Sequence, residues 1–312
     1  MIKYIGKRVA MAVVTLFIIL MVLFAMLRFM PGSPFNDEKL NDEQIEVINE
    51  KYGLNDPIPE QFLRYVANVV FHGDFGVSYS ISKDTDISLM LNHRIQVSFQ
   101  IGAQAVALGA VIGLLLGIAA ALKHNSIIDT ICTVISVLGV SLPSYVFGLG
   151  LAYFIGFKAG WLPLLYSEKA PMLSVVMPTI ALSMFTVATI ARFTRSEMLE
   201  VLQSDYMLLA QSKGIYGPTL IIRHALRNAM IPILTVLAPL VVDLMIGSLV
   251  IEKIFAIPGM GSLMVTAIQS NDYNVTIAIA FLYSAMYIVL MLIVDVLYGV
   301  IDPRIRITKS VD

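Results

Sequence analysis

The sequence predicts an all-α integral membrane protein with six transmembrane helices, and three observations predict it. Hydrophobic residues make up 58% of the 312 and charged residues only 14%, too little charge to clothe a water-soluble globule of this size. The apolar residues gather into runs that meet the length of about 20 residues needed to cross a bilayer. The charges collect between and at the ends of those runs, where a membrane protein meets water. A net charge of −1 excludes binding nucleic acid through a basic surface, which needs a cationic excess to neutralise phosphates. With Cys132 as the one cysteine, an internal disulfide and a cysteine-based metal site are excluded as well.

The basic stretch MIKYIGKR, residues 1–8, reads as a cytoplasmic N-terminus. Val9 to Leu27 is then apolar, up to the helix breakers Pro31, Gly32 and Pro34, which places the first span at 9–30. It exceeds the roughly 7–15 residues of a signal h-region and no small-x-small cleavage site follows, so it reads as a retained helix. Residues 31–96 turn polar and acidic, with Asp37, Glu38, Asp42, Glu43, Glu46 and Glu50, and read as an extracytoplasmic loop domain with short helices. The remainder, 97–312, forms the core. Its second span, 97–122, carries Gly109, Gly113 and Gly117 at four-residue spacing, a small face that lets helices pack closely. The third, 127–157, contains Pro143, expected to kink it rather than end it. The fourth, 172–191, is closed by Arg192 and Arg195. After a polar segment of helical period, 196–228, come the fifth span, 230–251, the stretch EKIFAIPGMGSLMVTAIQSNDYN, the sixth span, 275–300, and the tail DPRIRITKSVD.

Lys and Arg next to the spans set the orientation. With the N-terminus inside, the cytoplasmic set is Lys3, Lys7, Arg8, Lys123, Arg192, Arg195, Lys213, Arg223, Arg227, Arg304, Arg306 and Lys309, twelve of the 21 in the chain. Most of the others are diluted in the acidic loop. Both termini are therefore expected in the cytoplasm.

The most informative segment is DYMLLAQSKGIYGPTLIIRHALRNAMIP, Asp205 to Pro232. An amphipathic helix, a glycine turn, a second short helix and a proline at the next span would give a helix lying across the membrane plane. On its residues alone, an ordinary basic loop held inside by its charges fits equally. The segment resembles the cytoplasmic signature loop of bacterial ABC importer permeases, Glu-Ala-Ala, three residues, Gly, nine residues, Ile-x-Leu-Pro. Ala210 falls on the third position, Gly214 on the glycine and Leu226 on the leucine, while Leu208, Leu209, His224 and Arg227 depart from the pattern. Those departures are similar to the peptide and nickel branch, matched here by Asp205, Tyr206, Ala210, Lys213, Gly214, Arg223, His224, Asn228 and Pro232. The likeness covers the chain: PGSPF, YGLNDPIPEQFLRY and GDFGVSY resemble the first loop of the B-type subunit. EKIFAIPGMGSL, with Glu252, Phe255, Pro258, Gly259 and Gly261, and DPRIR, Asp302 to Arg306, match the same group. Asn274 and Met291 stand where that branch often has Pro and Asn.

The resemblance implies the type I ABC importer permease fold and an oligopeptide-importing subunit of the cell membrane. Residues 204–228 would form a coupling helix docked on a cytoplasmic ATPase, with Ala210 and Gly214 permitting close approach and Lys213 and Arg223 pairing with acidic groups. It implies as partners a second homologous permease, two ATPases, a peptide-delivering binding protein and membrane lipid, and the external loop reads either as a docking site for that binding protein or as a structural lid. No GxxxxGK[ST] motif occurs, so ATP and Mg would be bound by the ATPases, and the chain itself needs no catalytic residue, cofactor or metal. His93, His124 and His224 lack metal-ligand spacing. Asp243 and Asp295 fall within spans, where ionisable groups are costly and often functional. With Pro143, Tyr283 and Tyr287, Asp243 is a candidate for the path or for helix packing, and Glu252, Phe255, Pro258, Gly259 and Gly261 for an external gate or binding-protein contact. Two alternatives stay open: a permease of the same family for dipeptides, nickel or another small solute, and an ion-gradient-driven secondary transporter using Asp243.

Overall fold

The computed structural model describes residues 2–29, 42–51, 53–245 and 248–301. The PGSPF and DPRIR motifs lie outside them. The described chain is helical, with one antiparallel bridge between Val77 and Asp86. Five helical stretches are long and apolar enough to cross a membrane, and a bent helix pair brings the number to six if it counts as one span.

The contacts divide the chain into two units, residues 1–97 with 258–292, and residues 98–257 with 293–312. In the first, α1 (Ile2–Phe29) sets Leu20 and Phe24 against Phe62 of α3 (Ile58–Ala67) and Ile277 of α14 (Tyr273–Ile301). Phe62 meets the rings of Phe17 and Phe24 edge-on, both at 5.5 Å. Between α1 and α3 runs α2 (Asp42–Lys51), tied to the next loop by the Lys51–Asp84 ion pair at 2.9 Å. The long helix α4 (Ile87–Leu122) starts ten residues before the expected second span. Its polar NHR stretch reads as loop, but Ile87 and Leu91 lie one turn apart and are buried against Met260, Leu263 and Ala267 of α13 (Met260–Gln269), and that packing overrides the local polarity.

The second unit is built on α8 (Val176–Leu202). Beta carbons added at Gly109, Gly113 and Gly117 of α4 would fall 2.5–2.8 Å from Thr186, Ile190 and Thr194 of α8, and within 2.6–3.2 Å of its backbone carbonyls. The stripe thus packs two helices at backbone distance. α8 also runs past Ala191, the expected end of the fourth span, for three more turns: RFTRSEMLEVL holds no breaker, and Met198 is buried in the core.

The third span departs from expectation. α5 (Ile127–Ser141) ends, Leu142 is extended, and Pro143 caps α6 (Ser144–Leu151), the two axes meeting at 105°. Proline pushes the residue before it out of helical geometry, so Pro143 marks a corner, not a kink. A π-turn, Ala152–Lys158, and α7 (Pro171–Ser174) lead to α8. The fifth span is shifted toward the N-terminus: the helical stretch apolar enough to cross a membrane runs from Gly217 to Met245, most of it α11 (Arg227–Met245) with Pro232 and Pro239 inside, and the expected end at 251 falls in a separate short helix, α12 (Leu249–Ile254).

Candidate functional site

Between α8 and α11 the polar segment folds as α9 (Asp205–Ser212), a turn, α10 (Gly217–Thr219) and a π-helical stretch, Leu220–Leu226. Its first residues, up to Leu202, are the end of α8. Met207 and Ala210 stand three residues apart on one face of α9 and are buried with Leu220, Ala225, Ala229 and Ile233 against Ile190 and Met198 of α8 and Ala121 of α4. Ala210 therefore gives close approach to the chain's own core. Gly214 has φ +80° and open space where a side chain would sit. Its N–H donates to the Gln211 carbonyl at 2.9 Å and that of Ile215 to the Ala210 carbonyl at 3.1 Å. This pair of bonds ends α9 with a left-handed residue, the conformation glycine adopts at least cost.

With one face held, the other is open. Asp205, Tyr206, Lys213, Arg223 and Asn228 are exposed, and His224 is half-buried with its carbonyl accepting from Asn228 Nδ2 at 2.8 Å. Exposed beside them are large apolar side chains, Leu208, Leu209, Tyr216 and Ile222. Sequence reasoning treats Leu208 and Leu209 only as departures from a pattern and passes over Tyr216 and Ile222. The signal for them was present, as apolar residues between charges in a segment free of long apolar runs.

Beneath this segment lies an ionic cluster that sequence reasoning also misses as a unit. Arg195 Nε–H donates to Asp129 Oδ1 at 2.5 Å and Nη2 to Oδ2 at 2.8 Å. Oδ2 also accepts from the Asn125 N–H at 3.0 Å. His124 Nδ1 stands 3.2 Å from both Asp129 Oδ2 and Arg195 Nη2. Asp129, in the first turn of α5 behind the N-cap Ser126, is 4% exposed.

The EKIFAIPGMGSL stretch does not act as one piece. Glu252 and Phe255 belong to the second unit, where Glu252 accepts from Ser98 Oγ at 2.7 Å and the Phe255 carbonyl from the Tyr166 N–H at 2.8 Å. Pro258, Gly259 and Gly261 belong to the first, Gly259 as the residue before α13. That unit holds a second unforeseen carboxylate. Asp272, fully buried, accepts from Ser78 Oγ at 2.6 Å and from the N–H groups of Tyr79, Ser80 and Ile81 at 3.0–3.2 Å, so it fastens GDFGVSY to the foot of α14. Nearby is a polar chamber of about 440 Å³ lined by Gln61, Tyr65, Asp74 and Asn274. Asp243 is exposed on α11, and no hydrogen bond or ion pair joins it to another described residue. Tyr283 is half-buried against the α13–α14 core and Tyr287 is exposed. The side chain of Asp295 lies outside those described.

A model of the family described as "Binding-protein-dependent transport system inner membrane component" matches residues 113–307, and the one for that component's N-terminal part matches residues 1–86. The chain is 41% identical over 307 residues to "Dipeptide transport system permease protein DppB" of Lactococcus lactis, covering 98% of this chain and 100% of the relative. To "Oligopeptide transport system permease protein OppB" of Haemophilus influenzae and of Escherichia coli K12 it is 38% identical, with the same coverage.

Proposed function

The chain belongs to the family of binding-protein-dependent transport system inner membrane components, and from that premise we propose that it is one permease subunit of an ATP-driven peptide importer. The proposal is for peptides as a class, because relatives named for dipeptides and for oligopeptides match it along its whole length at similar identity. The observation that carries it is the two-faced segment 204–228. One face is locked to α8 by Met207 and Ala210, and the other presents Tyr206, Leu209, Lys213, Tyr216 and Arg223. Exposed aromatic and aliphatic side chains among cations are the composition of a protein-docking surface, and a cytoplasmic ATPase is the partner this position fits.

In this reading both termini and the segment are cytoplasmic, and two ATPases, holding ATP and Mg, grip this segment and its counterpart on a second homologous permease. A binding protein delivers peptide from outside the cell membrane, to the extracytoplasmic loop that Asp272 fastens at GDFGVSY. ATPase closure displaces the segment, and the helices fixed to it exchange an inward-facing passage for an outward-facing one. Asp243, exposed on a span, faces the water-filled path or the second permease, since a carboxylate toward lipid is strongly disfavoured.

The test is to purify the tagged chain from its native membrane in mild detergent and identify its companions by mass spectrometry. A second multi-helix permease and ATPase subunits are expected, and the ATPases should be lost with Gly214→Val, whose branched side chain opposes φ +80°. Recovery of the chain alone, under conditions that keep other transporter complexes intact, would point to a gradient-driven carrier instead.

A further inference from the structure

We propose that Asp129 and Arg195 are positioning residues for energy coupling: they form the ionic joint through which movement of the 204–228 segment reaches the third span. The inference rests on the importer reading and adds to it the residues that carry the stroke.

The elements the apolar core binds to the coupling segment are α8, α4 and α11, through Ile190, Met198, Ala121, Ala229 and Ile233. No residue of α5 belongs to that core. α5 also packs closely along α8 through its buried face, Cys132, Ser136 and Gly139, where the site of a Gly139 beta carbon lies 2.8 Å from Ala188 and 3.0 Å from the Met184 carbonyl; that packing holds the two helices together, and the ionic contact adds a fixed angle to it. At its cytoplasmic end the connection is polar and directional. Arg195 sits about two turns before the end of α8, only two residues of chain separate that end from α9, and its guanidinium meets Asp129 in a two-point fork. A bidentate arginine–carboxylate pair fixes angle as well as distance. The third point comes from the turn between α4 and α5: the Asn125 N–H donates to the same carboxylate, and His124 Nδ1 stands within reach of both partners. That nitrogen can donate to Asp129 or accept from Arg195, but not both at once. Three elements, α4, α5 and α8, thus converge on one carboxylate that is 4% exposed.

Asp129 is buried but the Arg195 side chain stays 29% exposed, and an ion pair that is partly or wholly withdrawn from water adds little net stability compared with well-packed apolar side chains, so the joint's contribution lies in geometry. That separates it experimentally from a fold-stabilising contact. Two changes are made in the full complex of permeases and ATPases: Arg195→Lys, which keeps the charge but loses the fork, and Asp129→Leu with Arg195→Met, which replaces the pair by apolar volume. Cys132, the one native cysteine, is buried, so spin labels can be placed on cysteines introduced at Ile131 of α5 and Ser212 of α9. The joint predicts one narrow interlabel distance in the parent complex, and a distribution at least twice as broad in Arg195→Lys and in the apolar pair where it assembles. In proteoliposomes with the binding protein, dialanine imported per ATP hydrolysed should fall at least tenfold while ATP hydrolysis continues. An unchanged distance distribution in assembled Arg195→Lys complexes overturns the joint, whatever the transport result. A parent complex with no peptide-stimulated ATP hydrolysis would count against the importer reading and leave the distance measurement to decide the joint.

Discussion

Single atoms already carry much of this protein's behaviour. The Tyr65 hydroxyl is buried with no hydrogen-bond partner among the described residues. Burial above all, with the Asp74 carboxylate and Tyr79 nearby, pushes its ionisation well above the ordinary phenol value. The folded chain therefore keeps its proton when the unfolded chain, with a phenol pKa of about 10, has lost it. Stability from this group is complete below pH 10 and falls by up to about 1.4 kcal/mol per pH unit above it. Tyr65→Phe removes both the orphan hydroxyl and this alkaline slope. Thermal unfolding should find it at least as stable as the parent at pH 7, where the orphan hydroxyl's desolvation cost is gone, with an advantage that grows by pH 11; a parallel decline of both proteins would refute the assignment. Asp272 shows the opposite solution to burying a polar group, a carboxylate surrounded by donors, and neither environment is readable from the residue type. Gly214 is the contrasting case, because a glycine after LLAQSK at the end of a helical pattern announces its left-handed turn in the sequence.

At the scale of elements, what matters is which helix faces are spoken for. The glycine stripe of α4 was legible as spacing, and it lies where the spacing puts it, on the backbone of α8. A side chain at Gly113 would meet Ile190 Cβ at 2.8 Å and the Val187 carbonyl at 2.9 Å, neither of which can rotate away. Gly113→Leu should cost at least the about 1–3 kcal/mol typical of overpacking, seen as a lower melting temperature in detergent and loss of co-purifying ATPases, whereas Gly150→Ala, with open space around it, should change neither. Helix boundaries were less legible, for one recurring reason. α4 and α8 extend into polar sequence because a few apolar side chains there, Ile87, Leu91 and Met198, are buried by distant segments. The corner at Pro143 followed from a local rule, but its size of 105° depends on what α6 packs against: a beta carbon at Gly148 would lie 3.0–3.4 Å from Ile251, Ala181 and Phe255.

For the whole molecule, the exposed surface describes the company the chain keeps. Val13, Val14 and Met26 of α1 are 57–64% exposed, an apolar surface suited to lipid or to a second permease. Asp243, in contrast, is a carboxylate exposed on an apolar helix, the residue that the proposed function sets toward water in the path or toward the partner. Asp243→Leu should leave the melting temperature unchanged, because no side-chain hydrogen bond or ion pair to another described residue depends on it, yet lower peptide import severalfold in proteoliposomes; unchanged import would remove it from the path. By itself the sequence determined the membrane class, the approximate helical spans, the glycine stripe and the helix–turn character of the 205–228 segment, because hydropathy, small-residue spacing and turn chemistry are local and periodic properties. The tertiary structure decided that Ala210 faces inward while Leu209 and Tyr216 face out, and that EKIFAIPGMGSL is shared between two units. It also decided that Asp129 and Arg195, 66 residues apart, meet in one pair whose carboxylate is buried and whose arginine side chain is half-buried. Each of these depends on long-range packing, in which the partner of a side chain is chosen by the path of the backbone and leaves no periodic mark in the sequence.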